Sequence, residues 1–327
     1  MARYVVTGAT GFIGTQLVRQ LVVAGHQVVA LARRPGAAQD LVALGVAVHQ
    51  GDVTEKESMR AAMAGADGVF HVAGWYRVGV RDTGPAWRTN VDGTRNVLEL
   101  LRDLGIPRGV YTSTVAVFGD TRGRVVDEGY YRGGPWLSTY DRTKWAAHYE
   151  VAVPFVEAGL PLVIVQPGAV YGPGDPSPTG EALRAFLRRR QLFVPQGMAL
   201  CWGHVADTAR GHVLAMERGR SGESYILAGP AHTLLEALTV ASRITGIPVP
   251  PLRLRPALLK GLAATAGLLE RLVVPPTLSA EYLRIAAGAT YLGSSAKAQR
   301  ELGFAARPLE AGLRETLGSE AARLRAG

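Results

Sequence analysis

One cysteine, Cys201, stands in 327 residues, so no internal disulfide can form and a reducing cytoplasm is the expected compartment. Long apolar runs are also missing. The first short one, residues 4–6, meets Gly8 almost at once and reads as a strand, not a secretory leader. The most apolar later stretch, residues 256–274, is broken by Lys260, Glu270 and Arg271. That excludes a spanning helix and leaves a buried or groove-lining one. The net charge is +9, yet the basic residues are scattered, with residues 188–190 the one tight cluster. No zinc spacing or RNA-binding signature accompanies them. Nucleic acid is therefore not an expected partner, and a general pull on anionic ligands is the modest inference.

What the chain does have is 47% apolar residues and 40 glycines, enough for a large core cut by many tight turns. Strand-like runs at 4–8, 26–33, 46–52, 68–74, 108–114 and 160–168 alternate with helix-like stretches. One of these, 12–25, puts Ile13, Leu17, Leu21 and Val22 on one face; another spans 89–104. Apolar strands separated by helices predict an α/β fold, a doubly wound parallel sheet of Rossmann type. After Gly168 the rhythm changes. A Pro/Gly-rich break (171–180) precedes helices at 180–190 and 203–219, a strand at 224–229 and a mostly helical remainder. The expected organisation is a dinucleotide-binding domain over 1–168, joined again by 203–229. Residues 169–202 and 230–327 form a smaller C-terminal substrate lobe.

Residues 4–14, YVVTGATGFIG, space Gly8, Gly11 and Gly14 at the end of a strand and the start of a helix. The first glycine permits the turn, the second lets amides approach a pyrophosphate, and the third lets helix and sheet pack closely. Thr7, Gly8, Thr10, Gly11, Phe12, Ile13 and Gly14 are the candidate cofactor contacts there. At the end of the second strand an acidic residue would bind ribose hydroxyls, but Arg33 and Arg34 stand in its place. A guanidinium suits a 2′-phosphate, which favours NADP and leaves NAD possible. Asp52 and Val53 close the third strand, where they could meet the adenine. His71, Val72 and Ala73 close the fourth on the nicotinamide side. His71 reads as a second acid or, more plainly, as a strand-end histidine with a structural hydrogen bond.

Tyr140 and Lys144 lie four residues apart, so a helix would put them on one face. An ammonium beside a phenol lowers the phenol's pKa, which makes a tuned proton donor and acceptor. The hydroxyls of TST at 112–114 could hold a substrate oxygen as charge shifts onto it.

TGATGFIG, GDV, HVAG, TNVDGT, YTSTVAVFG and YDRTK occur in the order found in the extended short-chain dehydrogenases/reductases, the NAD-dependent epimerase/dehydratase family, which the chain resembles over nearly its whole length. The resemblance implies Tyr140 as general acid/base and Lys144 as its tuner and ribose contact. It implies Thr114 as the active hydroxyl, with Ser113 as the alternative. Asn90, Pro167 and Val170 match positions that contact the cofactor in relatives. A homodimer through two long helices is common in the family.

Three departures bear on the reaction. Leu200 stands where sugar-nucleotide enzymes often carry a diphosphate-binding arginine. Gln166 and Ala169 replace an arginine and an asparagine. Val115 and Ala116 follow Thr114 where dehydratases place acids. Trp75, Tyr76, Trp87, Tyr130, Tyr131 and Trp136 offer aromatic walls for an apolar small-molecule carbonyl substrate. The chain looks most like the dihydroflavonol-reductase-like branch. That branch implies an NADP(H)-dependent reductase of a ketone or aldehyde. The alternatives are an NAD-dependent nucleotide-sugar epimerase or dehydratase, with Arg184 or Arg188 supplying lost contacts, and a non-enzymatic NADP sensor, against which intact Tyr140 and Lys144 argue.

Overall fold

The structure, a computed structural model, describes residues 1–191, 193–269 and 279–326. The end of the apolar 256–274 stretch thus lies outside the described residues; its first part is a helix, Pro256–Leu269. In chain order the strands are β1 (Arg3–Thr7), β2 (Gln27–Ala32), β3 (Ala47–Gln50), β4 (Gly68–His71), β5 (Gly109–Thr112), β6 (Leu162–Pro167) and β7 (Ala169–Tyr171). They continue with β8 (Phe193–Pro195), β9 (Ala199–His204), β10 (Ser224–Leu227), β11 (Ala231–Thr233), β12 (Leu252–Leu254) and β13 (Thr290–Tyr291).

Seven of them form one parallel sheet in the order β3-β2-β1-β4-β5-β6-β10. Every residue of β4, β5 and β6 is buried, as a sheet covered on both faces requires. Alternation along each strand divides its side chains between two cores. Val6, Val110, Val163 and Val165 pack with the helices Phe12–Val23 and Val205–Arg218. Val5, Tyr111, Leu162 and Ile164 face the opposite core, with Gly93–Asp103 and the helix that begins at Thr139. The first helix buries Gly14, Leu17, Val18 and Leu21, a face turned slightly from the expected one: Val18 is inside and Val22 only half-buried. Strand order reverses between β1 and β4, and in open α/β sheets ligands bind at the carboxyl ends beside such a reversal.

The later residues are less helical than expected. β7, β9, β11 and β13 make a small second sheet, and β8 pairs with β12. These strands are two to six residues long, too short for a pattern to stand out. Among the described residues, no helix is long and apolar enough to cross a membrane, and no group of three acidic, histidine or cysteine side chains could hold a metal ion.

Candidate active site

The glycine loop leaves the carboxyl end of β1. Gly8 has φ +68°, and a Cβ there would lie 2.6 Å from the Ala73 nitrogen. A Cβ on Gly14 would lie 2.1 Å from the Gly8 carbonyl oxygen. Neither position admits a side chain. The first helix has no side-chain cap at Gly11 and no acid in its first turn, so its amide end is free to meet an anion. Thr10 and Gly11 are exposed at this end, while Phe12 and Ile13 are half-buried. These features fit a dinucleotide pyrophosphate. Thr7 differs from the expectation of a direct contact: it is fully buried, and its hydroxyl is engaged by His71 Nδ1 at 2.8 Å and the Ala73 N–H at 3.2 Å.

Arg33 and Arg34 follow β2, exposed and with no side-chain hydrogen bond or ion pair to other described residues. Asp52 Oδ1 accepts from Thr54 N and Oγ1, both at 2.9 Å, and Val53 packs over Gly93. Val72 and Ala73 line the end of β4, half-buried. Both ring nitrogens of His71 are bonded, to Thr7 and to Thr94 Oγ1 at 3.0 Å. Burial, then the nearby Lys144, pushes its pKa down to about 3, so it is a neutral structural histidine and not a second acid. Asn90 is buried and fully occupied. It accepts from Trp75 N at 2.7 Å and donates to Trp75 O at 3.1 Å and Thr143 Oγ1 at 2.9 Å. Val170 is half-buried in β7, and Pro167 ends β6.

Tyr140 and Lys144 share the helix Thr139–Ala146, which Ser138 caps by accepting from Asp141 N. The ammonium expected to lower the phenol's pKa is bonded elsewhere. Lys144 Nζ donates to Thr112 O at 2.8 Å and Tyr111 Oη at 3.2 Å, with the Tyr111 ring 4.9 Å away. Lys144 is buried, and burial lowers its pKa to about 7. Burial raises the Tyr140 phenol above its ordinary value, and the nearby Thr114 hydroxyl lowers it in part. Desolvation outweighs tuning here because both groups sit against strand ends.

The two candidate hydroxyls point apart, as neighbours leaving a strand should. Thr114 Oγ1 is near Tyr140, accepts from Ala116 N at 3.2 Å and donates to the Pro167 carbonyl oxygen at 3.5 Å. Ser113 Oγ is 2.8 Å from buried His148 Nδ1.

Of the six candidate wall aromatics, Tyr76 meets Tyr140, edge to face at 4.6 Å between centroids. Trp87 and Trp136 flank the Arg142 guanidinium, at 5.4 and 5.7 Å. Tyr131 packs on Tyr149 and Trp145, and Tyr130 on Phe118. A side chain next to Tyr140 in sequence need not be next to it in space, since the helix turns about 100° per residue.

Several residues here were not anticipated. Tyr111 and Thr94 lie inside quoted motifs but carried no signal of their own. Glu281 is far away in sequence. Its Oε1 accepts from Thr139 N and Oγ1 at 2.8 Å, and its Oε2 from Gly79 N at 2.9 Å. One carboxylate thus ties the 74–87 loop to the start of the Tyr140 helix, where the helix dipole favours negative charge. Asp141 accepts from Tyr291 Oη at 2.8 Å, and burial lifts its pKa to about 6. Leu200 packs between two hydrophobic clusters. Gln166 is buried with its carbonyl oxygen unpartnered. Arg184 is occupied by Asp175 O at 2.6 Å and Glu181 at 3.1 Å.

Residues 4–228 match the model of the NAD dependent epimerase/dehydratase family. The chain is 39% identical over 256 residues to a Synechocystis protein named for dihydroflavonol 4-reductase, covering 76% of this chain and 74% of that one. It is 33% identical over 322 residues to a 4-hydroxy-2-methyl-3-oxo-4-farnesyl-3,4-dihydroquinoline-1-oxide ketoreductase of Stigmatella aurantiaca, covering 93% and 92%. The solved structure of gox2253 superposes with a TM-score of 0.85 at 31% identity over 99% of both chains. The glycine loop, the Tyr140–Lys144 helix and these matches agree, and the chain belongs to the NAD dependent epimerase/dehydratase family, as an NAD(P)-dependent oxidoreductase of the extended short-chain dehydrogenase/reductase type.

Proposed function

We propose that the protein reduces a ketone or aldehyde on a fairly apolar small molecule, with NADP(H) as its cofactor. The observation that carries this reading is that the Tyr140 phenol and the Thr114 hydroxyl lie near each other, beside the carboxyl ends of β5 and β6. A phenol raised by burial is protonated at neutral pH, the form that can donate. A carbonyl oxygen between the two hydroxyls would accept from both. As charge grew on that oxygen both bonds would strengthen, and Tyr140 would surrender its proton. Lys144, near neutrality in pKa, exchanges protons at low cost and can stabilise the phenolate left behind. A nicotinamide dinucleotide held by the Gly8–Gly14 loop would supply the hydride.

Arg33, unpartnered at the end of β2, is the residue proposed for a 2′-phosphate, with Arg34 beside it. The substrate class rests on what surrounds Tyr140. Tyr76 presents an aromatic edge, Leu200 and Ala169 supply no charge, and Arg184 is already engaged. Two relatives named for reductases support the same direction. A cytoplasmic setting and a homodimer belong to this proposal as well; light scattering on the purified protein checks the second.

The test begins with the nucleotide released on denaturing the purified protein, identified by mass spectrometry. Titrations with NADP+ and NAD+ follow, then NADPH oxidation against a panel of aromatic and aliphatic carbonyls. A net reductase exchanges its cofactor each turnover, so an empty or NADP-loaded protein that prefers NADP+ is expected. Near-stoichiometric retained NAD+ would overturn the reading in favour of an epimerase.

A further inference from the structure

Beneath Tyr140 and Lys144 lies a chain of buried polar groups to which the proposed reaction gives no task. Tyr111 is fully buried on β5 and faces the same core as the Tyr140 helix. Its hydroxyl accepts from Lys144 Nζ at 3.2 Å. The protons of the groups next to it can be placed by counting. Thr94 donates to the Asn90 carbonyl at 2.6 Å, so its oxygen can only accept from its other partner, His71 Nε2. His71 therefore carries its proton on Nε2. Its Nδ1 then accepts from Thr7, whose oxygen accepts the Ala73 N–H. Each proton from Ala73 to Asn90 has one place. The Tyr111 ring is stacked on His71 at 5.5 Å and 20°, which restrains it further.

The lysine is constrained accordingly. An ammonium has three N–H groups, and the Thr112 carbonyl and Tyr111 hydroxyl take two. The titratable groups that face it are His71 from β4, Tyr111 from β5, and His148 and Tyr140 from its own helical segment. Both histidines are held neutral, and among the described residues no carboxylate bonds to Lys144.

We propose that Tyr111 is a positioning residue for Lys144: its hydroxyl, carried on a buried ring stacked against His71, orients the lysine nitrogen so that its one remaining N–H serves the cofactor ribose and Tyr140. The roles given to Lys144 rest on the oxidoreductase reading above; the placement of its nitrogen does not. Removing the hydroxyl would leave the lysine one strong acceptor and freedom to turn.

The test is a double-mutant cycle on cofactor binding, with wild type, Tyr111→Phe, Lys144→Met and the double variant titrated with NADP+, or with NAD+ if that binds better, by tryptophan fluorescence. Phenylalanine keeps the ring, its stack and its burial. Tyr111→Phe should weaken binding about tenfold, the scale of a hydrogen bond to a charged group. In the Lys144→Met background the same change should cost nothing more. With a turned-over carbonyl in hand, Tyr111→Phe should also displace the alkaline limb of the kcat profile. Wild-type affinity in Tyr111→Phe, or an equal loss in both backgrounds, overturns the proposal. If thermal melts show that Tyr111→Phe does not fold, Tyr111→Leu removes the same hydroxyl and should give the same non-additive pattern; an additive one overturns it. Because the cycle reads binding, it decides this point even if no carbonyl in the panel is reduced.

Discussion

Thr114 and Ser113 are adjacent, both hydroxylic and both buried, yet their replacement should have opposite consequences. Thr114→Val keeps the volume and removes the hydroxyl beside Tyr140. Losing one donor to a developing oxyanion costs roughly 10²–10³ in kcat. The variant also loses the acceptor for Ala116 N, a cap worth about 1 kcal/mol of stability. Ser113→Ala removes the partner of His148 Nδ1 at 2.8 Å, in a site where His148 is 4% exposed. An unpaired buried nitrogen costs about 1–3 kcal/mol. Ser113→Ala should therefore unfold at lower urea with kcat within about twofold of wild type. Thr114→Val should lose about 1 kcal/mol of stability and nearly all of its rate, and Thr114→Ser should recover most of the rate. The assay is initial-rate NADPH oxidation with the best carbonyl substrate, beside urea titration of each variant. A collapse of kcat in Ser113→Ala with Thr114→Val left active would refute the assignment.

Three further outcomes are expected. Arg33→Ala should weaken NADPH binding about tenfold and leave NADH binding unchanged; equal losses for both would remove the 2′-phosphate contact. Lys144 is cationic below about 7 and neutral above, so kcat for reduction should fall as pH rises through that value, and a profile flat to pH 9 would exclude its charge from the slow step. Acid stability follows from His71 and His148, held near 3, and His212, held near 4, all by burial from an ordinary 6.5. The unfolded chain takes up these protons first, so stability is full above about 6.5 and is lost as pH falls toward 3, at ~2 kcal/mol per histidine by pH 5. Asp141, lifted to about 6, works the other way and gains on acidification, which leaves the histidines ahead. Melting midpoints at pH 7.5 and 5 check the sign; a higher midpoint at pH 5 would contradict it.

Legibility differed with the range of the interaction. The seven-stranded sheet could be read because most of its strands are apolar runs between helices, each a local signal. The Gly8–Gly14 loop could be read because sterics alone demand glycine there. Tyr140 and Lys144 could be placed on one face by helical period, but not the direction of the lysine. That direction depends on Tyr111 and the Thr112 carbonyl, more than thirty residues away. Glu281 meets Thr139 and Gly79 across 142 and 202 residues of chain, a pairing that no periodicity encodes. Two π-helical turns, Arg88–Asp92 around Asn90 and Ala147–Ala152 after Lys144, shift the register of their helices beside the site. Composition gives no warning of such turns.

The place of β10 has a consequence for how the chain is made. β6 has six buried residues and pairs with β5 on one side, but its other neighbour begins only at Ser224. During synthesis at ~5–20 residues per second, β6 is therefore an unprotected apolar edge for several seconds after it leaves the ribosome. Until Ser224–Leu227 arrives, the nascent protein presents a strand able to pair with any other chain, and slowed elongation between Pro167 and Ser224 lengthens that exposure.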